Sequence, residues 1–409
     1  MKSEELLARA KQMQDTIVEN RRYLHMHPGT GFDIQDTVSF VKKELQEMGY
    51  EPEECGKAGL VALAGGKKKG KVFLVRADMD ALPFREEADV DFCAQNGNMH
   101  ACGHDLHTAM LLGAARLLKE CEDEIEGTVK LMFQPAEEIF EGSQDMIASG
   151  LLKNPDVDAA LMIHVMAGMP IAPGTAVVSS PGVSAPAADY FEITVHGKGC
   201  HGSMPNIGVD PLTAAAHILI ALQEIPAREL AMSDRAVLTI GTINGGTAAN
   251  AIPDTVVMGG SIRTFEEETR SLIKNRMQEI ARGIAKSFRA EAEISFGSGC
   301  PTLVNDKDLA DCTEKYVKEL LGGEGKGLSL AQLQGNGSAS SSSKAAGSED
   351  FAYVSHEVPS IMLSLAAGEP EKGYPYPQHH PKVKFDETAL SYGSAVYAYT
   401  AMRWLEEHK

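Results

Sequence analysis

The sequence predicts an α/β protein: a largely parallel sheet covered by helices, interrupted by a compact inserted α+β domain. Three observations carry this expectation. The 409 residues exceed what one ordinary core organises. Short apolar runs alternate with helical patterns through the first part of the chain, as strand–helix–strand units do. From residue 187 the order becomes strand–helix–strand–strand–helix–strand, the split ferredoxin-like arrangement. The expected boundaries are residues 1–186 and 300–409 for the main domain and 187–299 for the insert.

Taken in order, residues 3–27 place Leu6, Leu7, Met13, Ile17 and Leu24 at helical intervals and read as one helix; residues 34–48 read as another. Val72–Val75 is a buried strand. Leu106–Cys121 sets Leu106, Met110, Ala114, Leu117 and Leu118 on one helix face, and strands follow at Val129–Phe133 and Ala159–Ile163. In the insert, Phe191–Val195 alternates as a strand. A helix over Pro211–Leu222, strands at Val237–Ile243 and Thr255–Ile262, an amphipathic helix over Glu266–Ser287 and a strand at Glu291–Phe296 complete it. The helix Asp308–Leu321 and the strand Ile361–Leu365 return the chain to the main domain. The serine-rich stretch Gly335–Gly347 cannot bury apolar area and reads as a flexible loop without chemistry.

The totals exclude several functions. With 38 basic and 57 acidic residues the formal charge is -19, so no basic surplus exists to displace counterions from nucleic acid or to hold an anionic membrane. Hydrophobic content of 43% and charged content of 23% suit a soluble globular protein. Seven cysteines without regular spacing point to a reducing compartment. The charged start Met1-Lys2-Ser3-Glu4-Glu5 lacks the apolar core of a signal peptide, and no apolar run reaches membrane-span length. A cytoplasmic protein is expected.

The chemistry concentrates at Met99–His107, where one thiol, three imidazoles and a carboxylate share nine residues. Cysteine and neutral histidine are first-choice ligands for zinc and related ions. In an open parallel sheet, ligands bind beyond the carboxyl ends of the strands. Here those ends carry Asp78 and Asp80, Glu137 and Glu138, and His164, while the segment after the last strand leads to His379. Taken singly, each has an ordinary role: a turn, a helix start, a hydrogen-bonded ring, a small buried thiol. Delivered together to one rim, they read as a metal site. His100 and His107 read as supporting groups, and the six other cysteines as structural.

The segments Arg76–Pro83 (RADMDALP), Met99–Asp105 (MHACGHD), Gln134–Glu138 (QPAEE), His201–Pro205 (HGSMP), Ser348–Phe351 (SEDF) and His379–Pro381 (HHP) resemble the amidohydrolase branch of the M20 metallopeptidases. The likeness covers nearly the whole chain. It implies a bilobal fold whose insert is a dimerisation domain, giving a homodimer or higher homo-oligomer, and two divalent ions per chain (Zn, Mn, Co or Ni). The implied ligands are Cys102, His104, Glu138, His164 and His379, with Cys102 bridging as thiolate. Glu137 would be the general base, Asp80 would support the ligands, and Asp78 would sit where related branches place a ligand histidine. His201, Asn250 and Arg263 match positions that contact substrate, His201 in the partner's site. The implied reaction is hydrolysis of N-acyl amino acids or small peptides, and a dipeptidase or carboxypeptidase is the alternative. Four departures from the family pattern stand out: Gly29, Gln378, the segment Val165–Gly168, and the long serine-rich loop. They bear on pocket shape rather than on any ligand. A thiol hydrolase using Cys102 with His104 or His107 leaves the glutamates and the other histidines unexplained, and a non-catalytic binding protein has no need of Glu137.

Overall fold

The computed structural model describes residues 2–335 and 347–409, so nearly all of the expected serine-rich loop lies outside the described residues. The chain forms two compact units. One comprises the residues up to Ser184 and most of those from Val304 onward; the other is Ala185–Leu303 with the few residues ending at Glu349.

In the first unit an eight-stranded sheet runs, in spatial order, Glu53–Cys55, Gly59–Gly65, Thr128–Gln134, Val72–Asp78, Ala159–Met166, Ser360–Ala366, Ala176–Val178 and Gly327–Ser329. The central four, Thr128–Gln134 to Ser360–Ala366, are mutually parallel, while Gly59–Gly65 and Ala176–Val178 flank them antiparallel. The strand Val72–Asp78 is buried at every position, which is why it reads as a continuous apolar run rather than an alternation. Register aligns Asp78 with Gln134 and His164 with Ser364, so the strands discharge their polar residues at one rim.

Two differences from the sequence reading have physical causes. The first expected helix is two, Ser3–Gln12 and Gln14–Met26, because the Met13 backbone (φ -92, ψ 4) leaves the helical well. The C-terminal helix Leu390–Glu407 carried no stripe to read: its buried residues lie on all sides, from Leu390 to Leu405, as they do on His104–Glu120. The short edge strands Glu53–Cys55, Ala176–Val178 and Gly327–Ser329 were likewise invisible to periodicity.

Helix His104–Glu120 starts at the rim, and Gly103 makes that start possible. Its φ is +95, and a Cβ there would meet Val165 Cγ2 at 2.4 Å. The second unit is an antiparallel sheet in the order Ala236–Gly245, Thr255–Thr264, Ala187–His196, Glu291–Cys300. Helices Pro211–Leu222 and Glu267–Ser287 cover one face, burying Ala214, Ile218, Ile273 and Met277 with Ile193, Val195 and Met258.

Candidate metal centre

Five of the residues singled out as ligands come together in two overlapping triads. Cys102, His104 and His164 form one; Cys102, Glu138 and His379 form the other; within each, the ligand atoms lie within 4.8 Å of one another. The shared thiol sits 3.4 Å from His164 Nε2. Glu138 Oε1 lies 3.9 Å from His104 Nε2 and 3.7 Å from His379 Nε2. Glu137 Oε2 is 3.9 Å from His104 Nε2, beside both triads. Each triad offers the three protein ligands characteristic of a catalytic zinc-type site.

The rings are aimed by their other nitrogens. His104 donates from Nδ1 to the Asp80 carbonyl at 2.8 Å, and His164 from Nδ1 to the Val165 carbonyl at 2.8 Å, leaving each Nε2 toward the centre. His104 Nε2 is buried and makes no hydrogen bond. Asp80 receives the backbone N–H groups of Glu137 (2.9 Å) and Glu138 (3.2 Å), fixing the loop that carries both glutamates. Ala136, at φ +55, turns that loop in the left-handed region. His379 also has a left-handed backbone (φ +64), with its N–H on the Ala101 carbonyl at 3.0 Å.

Asp78 is placed in support. One oxygen takes Arg76 at 2.7 Å and the other takes His107 Nδ1 at 2.6 Å. His107 in turn accepts the Val165 N–H at 2.9 Å, so both of its nitrogens are committed, as a supporting role requires. His100 is buried near the His25 ring (centroids 6.3 Å apart); among the described residues its ring nitrogens find no hydrogen-bond partner, and its helix-start contact is its carbonyl, which accepts the Gly103 N–H at 3.3 Å.

The electrostatics call for a cation. Burial, reinforced by Glu138, pushes the Cys102 thiol up to about 12. Such a thiol is not an activated nucleophile, which removes the physical basis of a thiol hydrolase. Burial disfavours charge on His104, yet Asp78 and Cys102 carry its pKa well above the ordinary value. The cluster therefore draws a proton to the place where a metal would supply positive charge. Burial, with His107 nearby, drops His164 to about 3, so it stays a neutral ligand. Orphaned imidazole nitrogen, soft thiol and carboxylates together fit divalent ions of the zinc class.

Residues in the second unit fall into two places. His201 pairs with Ala251, and Gly202 N–H reaches the Asn250 carbonyl at 2.7 Å, so His201 and Asn250 share one small two-stranded antiparallel ribbon. His201 Nδ1 accepts the Ser203 N–H at 3.1 Å, which puts the neutral ring's proton on Nε2. Arg263 lies at the other end of strand Thr255–Thr264, stacked over Tyr190 with 5.2 Å between guanidinium carbon and ring centroid. Eight residues of strand separate it from the end nearest that ribbon, roughly 26 Å at the usual rise.

Two polar networks escaped the sequence reading. Asp350 of the SEDF segment binds Arg76 (3.2 Å), Gln134 Nε2 (2.6 Å) and the Ser143 N–H (2.9 Å), anchoring both flanks of the glutamate loop. Asp105 pairs with Arg21 (2.7 Å) and His25 (2.8 Å), and His25 Nε2 reaches Glu86 at 3.0 Å. That set pins the helix Gln14–Met26 to the start of His104–Glu120. The only signal for either was the motif membership of Asp105 and Asp350.

A model of the peptidase family M20/M25/M40 matches residues 74–403. The chain belongs to that family. Membership makes it a hydrolase of amide bonds, and it bears out the resemblance carried by the ordered motifs. N-acetyl-L-cysteine deacetylase of Bacillus subtilis (strain 168) is 34% identical over 97% of this chain and 90% of its own length. N-acyl-L-amino acid amidohydrolase of Geobacillus stearothermophilus is 36% identical over 75% of this chain and 82% of its own. Among solved structures, the Bacillus subtilis YXEP protein, a dinuclear metal-binding peptidase of the M20 family, superimposes with a TM-score of 0.77 at 31% identity, covering 97% of this chain and 99% of that one.

If Cys102 and His104 ligate an ion, binding must displace the protons that the raised pKa values of both groups favour. Metal loading should release about two protons per chain at pH 7, so affinity falls as pH is lowered. Calorimetric titration with Zn²⁺ in two buffers of different ionisation enthalpy measures this; proton-neutral binding would contradict the assignment of these two groups.

Proposed function

We propose that the protein is a dinuclear amidohydrolase that releases free amino acids from N-acyl amino acids, with Cys102 placed where two divalent ions (Zn, Mn, Co or Ni) would share it. The observation that carries this reading is the sharing of Cys102 by two ligand triads with Glu137 beside both. The names of the relatives support the substrate class. Bound ions would polarise the scissile carbonyl and lower the pKa of the attacking water. Glu137, buried and receiving the Asp350 N–H at 3.4 Å, is placed to take the water's proton and hand it to the leaving nitrogen. Glu138 stays a ligand. His201, its proton on Nε2, offers a donor to the developing oxyanion, and Asn250 and Arg263 are donors for the substrate carboxylate in an otherwise acidic chain.

The separation of Arg263 from His201 and Asn250 supports a two-fold dimer, since one insert cannot bring both ends to one small substrate. The edge strand Ala236–Gly245 has a free side, and Val237 (57%), Ile243 (46%) and, on the covering helix, Ile220 (68%) are exposed apolar groups suited to a partner. No helix among the described residues is long and apolar enough to cross a membrane. No disulfide joins the described cysteines, which supports the cytoplasmic location in this reading.

Glu137→Gln should keep both metals and lose turnover, because the amide preserves shape without basicity; Glu138→Gln should lose metal instead. Metal analysis alongside activity separates the two, and the reverse order would sink the division of roles. Converting a good substrate to its methyl ester should cut kcat/KM at least about tenfold, the scale of one charge-assisted hydrogen bond, whereas equal turnover would refute a carboxylate site. Glu137→Gln and His201→Ala homodimers should each be nearly inactive. If His201 acts in trans, a mixed dimer regains one intact site, about half the wild-type activity by two-fold counting. No recovery after verified subunit exchange would place His201 in cis or outside the reaction.

A further inference from the structure

Two of the departures from the family pattern, Gln378 and Val165–Gly168, turn out to face each other. The Gln378 side-chain amide donates from Nε2 to the Val165 carbonyl, and its Oε1 accepts the Ala167 N–H at 3.4 Å. A primary amide presents a donor and an acceptor side by side, as a neighbouring strand's peptide would. Gly168 closes the same junction: at φ +73, a Cβ there would meet the Tyr376 carbonyl carbon at 3.1 Å and Pro377 N at 3.2 Å. The two segments therefore dock along one another just beyond the ligands they carry.

The Val165 peptide is the hub of this junction. Its N–H goes to His107, and its carbonyl takes both the His164 Nδ1 proton and the Gln378 amide. Gln378 also immediately precedes His379, whose left-handed backbone needs its surroundings to hold it. One side chain thus reaches one histidine of each triad, by the Val165 carbonyl on one side and by the backbone on the other.

We infer that Gln378 is a positioning residue that clasps the His164 and His379 segments together and so sets the geometry of both halves of the metal centre. The inference rests on the dinuclear reading above. The Gln378 amide supplies both the donor for the Val165 carbonyl and the acceptor for the Ala167 N–H. Neither leucine nor glutamate at this position reproduces that pattern. Leucine makes no hydrogen bond, and a carboxylate would set an oxygen against the Val165 carbonyl.

The test compares Gln378→Leu and Gln378→Glu with wild type, using Zn²⁺ titration for affinity and the visible absorption of the Co²⁺-loaded protein for ligand geometry. Both variants should bind Zn²⁺ about tenfold or more weakly, the usual cost of losing an outer-sphere partner of a metal ligand. Their Co²⁺ bands should shift in position or intensity, with metal-free melting temperatures close to wild type. Affinities within twofold of wild type together with an unchanged Co²⁺ spectrum would overturn the inference. So would loss of the metal-free fold in both variants, because that would make Gln378 a general structural support. Cys102→Ala, measured in parallel, keeps the two readings apart: if it retains both metals, the dinuclear reading fails whatever Gln378 does.

Discussion

Buried negative charge at the carboxyl ends of four parallel strands is the constraint around which the rest of this protein is arranged. Asp78, Asp80, Glu137 and the Cys102 sulfur are all withdrawn from water within one rim. Leaving a charge uncompensated in such a place is costly, so each must find a partner or take up a proton. Asp78 finds partners: burial works against its ionisation, but His104, Arg76 and His107 hold its pKa well below the carboxylate range. Asp80 finds two backbone N–H groups. What is left is the thiol, the glutamates and three imidazole edges gathered at one rim, and the charge they lack is one that divalent cations would supply.

The polar networks beneath that rim are its consequence. Ligands must be held in one orientation whether or not a metal is bound, and their own contacts cannot do this because their ligating atoms must stay available. The holding is passed outward: from His104 to the Asp80 carbonyl, from His164 to the Val165 carbonyl, from the glutamate loop to Asp80, and from both its flanks to Asp350. Asp105 repeats the pattern on the opposite side. Burial opposes its ionisation, but Arg21 and His25 hold it charged, tying the helix Gln14–Met26 to the helix that presents His104. Such networks stabilise only when complete, so the fold around the site is polar, buried and closely matched.

How much of this was legible in the sequence follows from what each feature leaves in a linear pattern. The central strands were readable because a strand buried on both faces is a continuous apolar run. The gathering of Cys102, His104, Glu138, His164 and His379 was foreshadowed because ligand-type side chains stand at or beside strand ends, while the choice of these five came from the family resemblance. The partners of those ligands were not. Arg76 is a basic residue in a buried strand, and nothing in its neighbourhood announces that it spans Asp78 and Asp350. The separation of Arg263 from His201 was likewise hidden, because strand register, not spacing, decides it. The Gln378 junction joins segments 213 residues apart and shows in sequence only as two unrelated oddities.

The two units carry different parts of the proposed chemistry. The parallel sheet would supply a rigid rim for metals and base, and the antiparallel insert donors on a two-stranded ribbon and on a strand end far from it. The central claim concerns the rim, and the most direct measurement is an anomalous-scattering experiment on crystals grown with Zn²⁺. The account predicts two peaks of full height on either side of the Cys102 sulfur, each about 2.3 Å from it, one shared with His104 or His164 and the other with Glu138 or His379. A single peak, or two peaks that leave Cys102 outside their coordination, would contradict it.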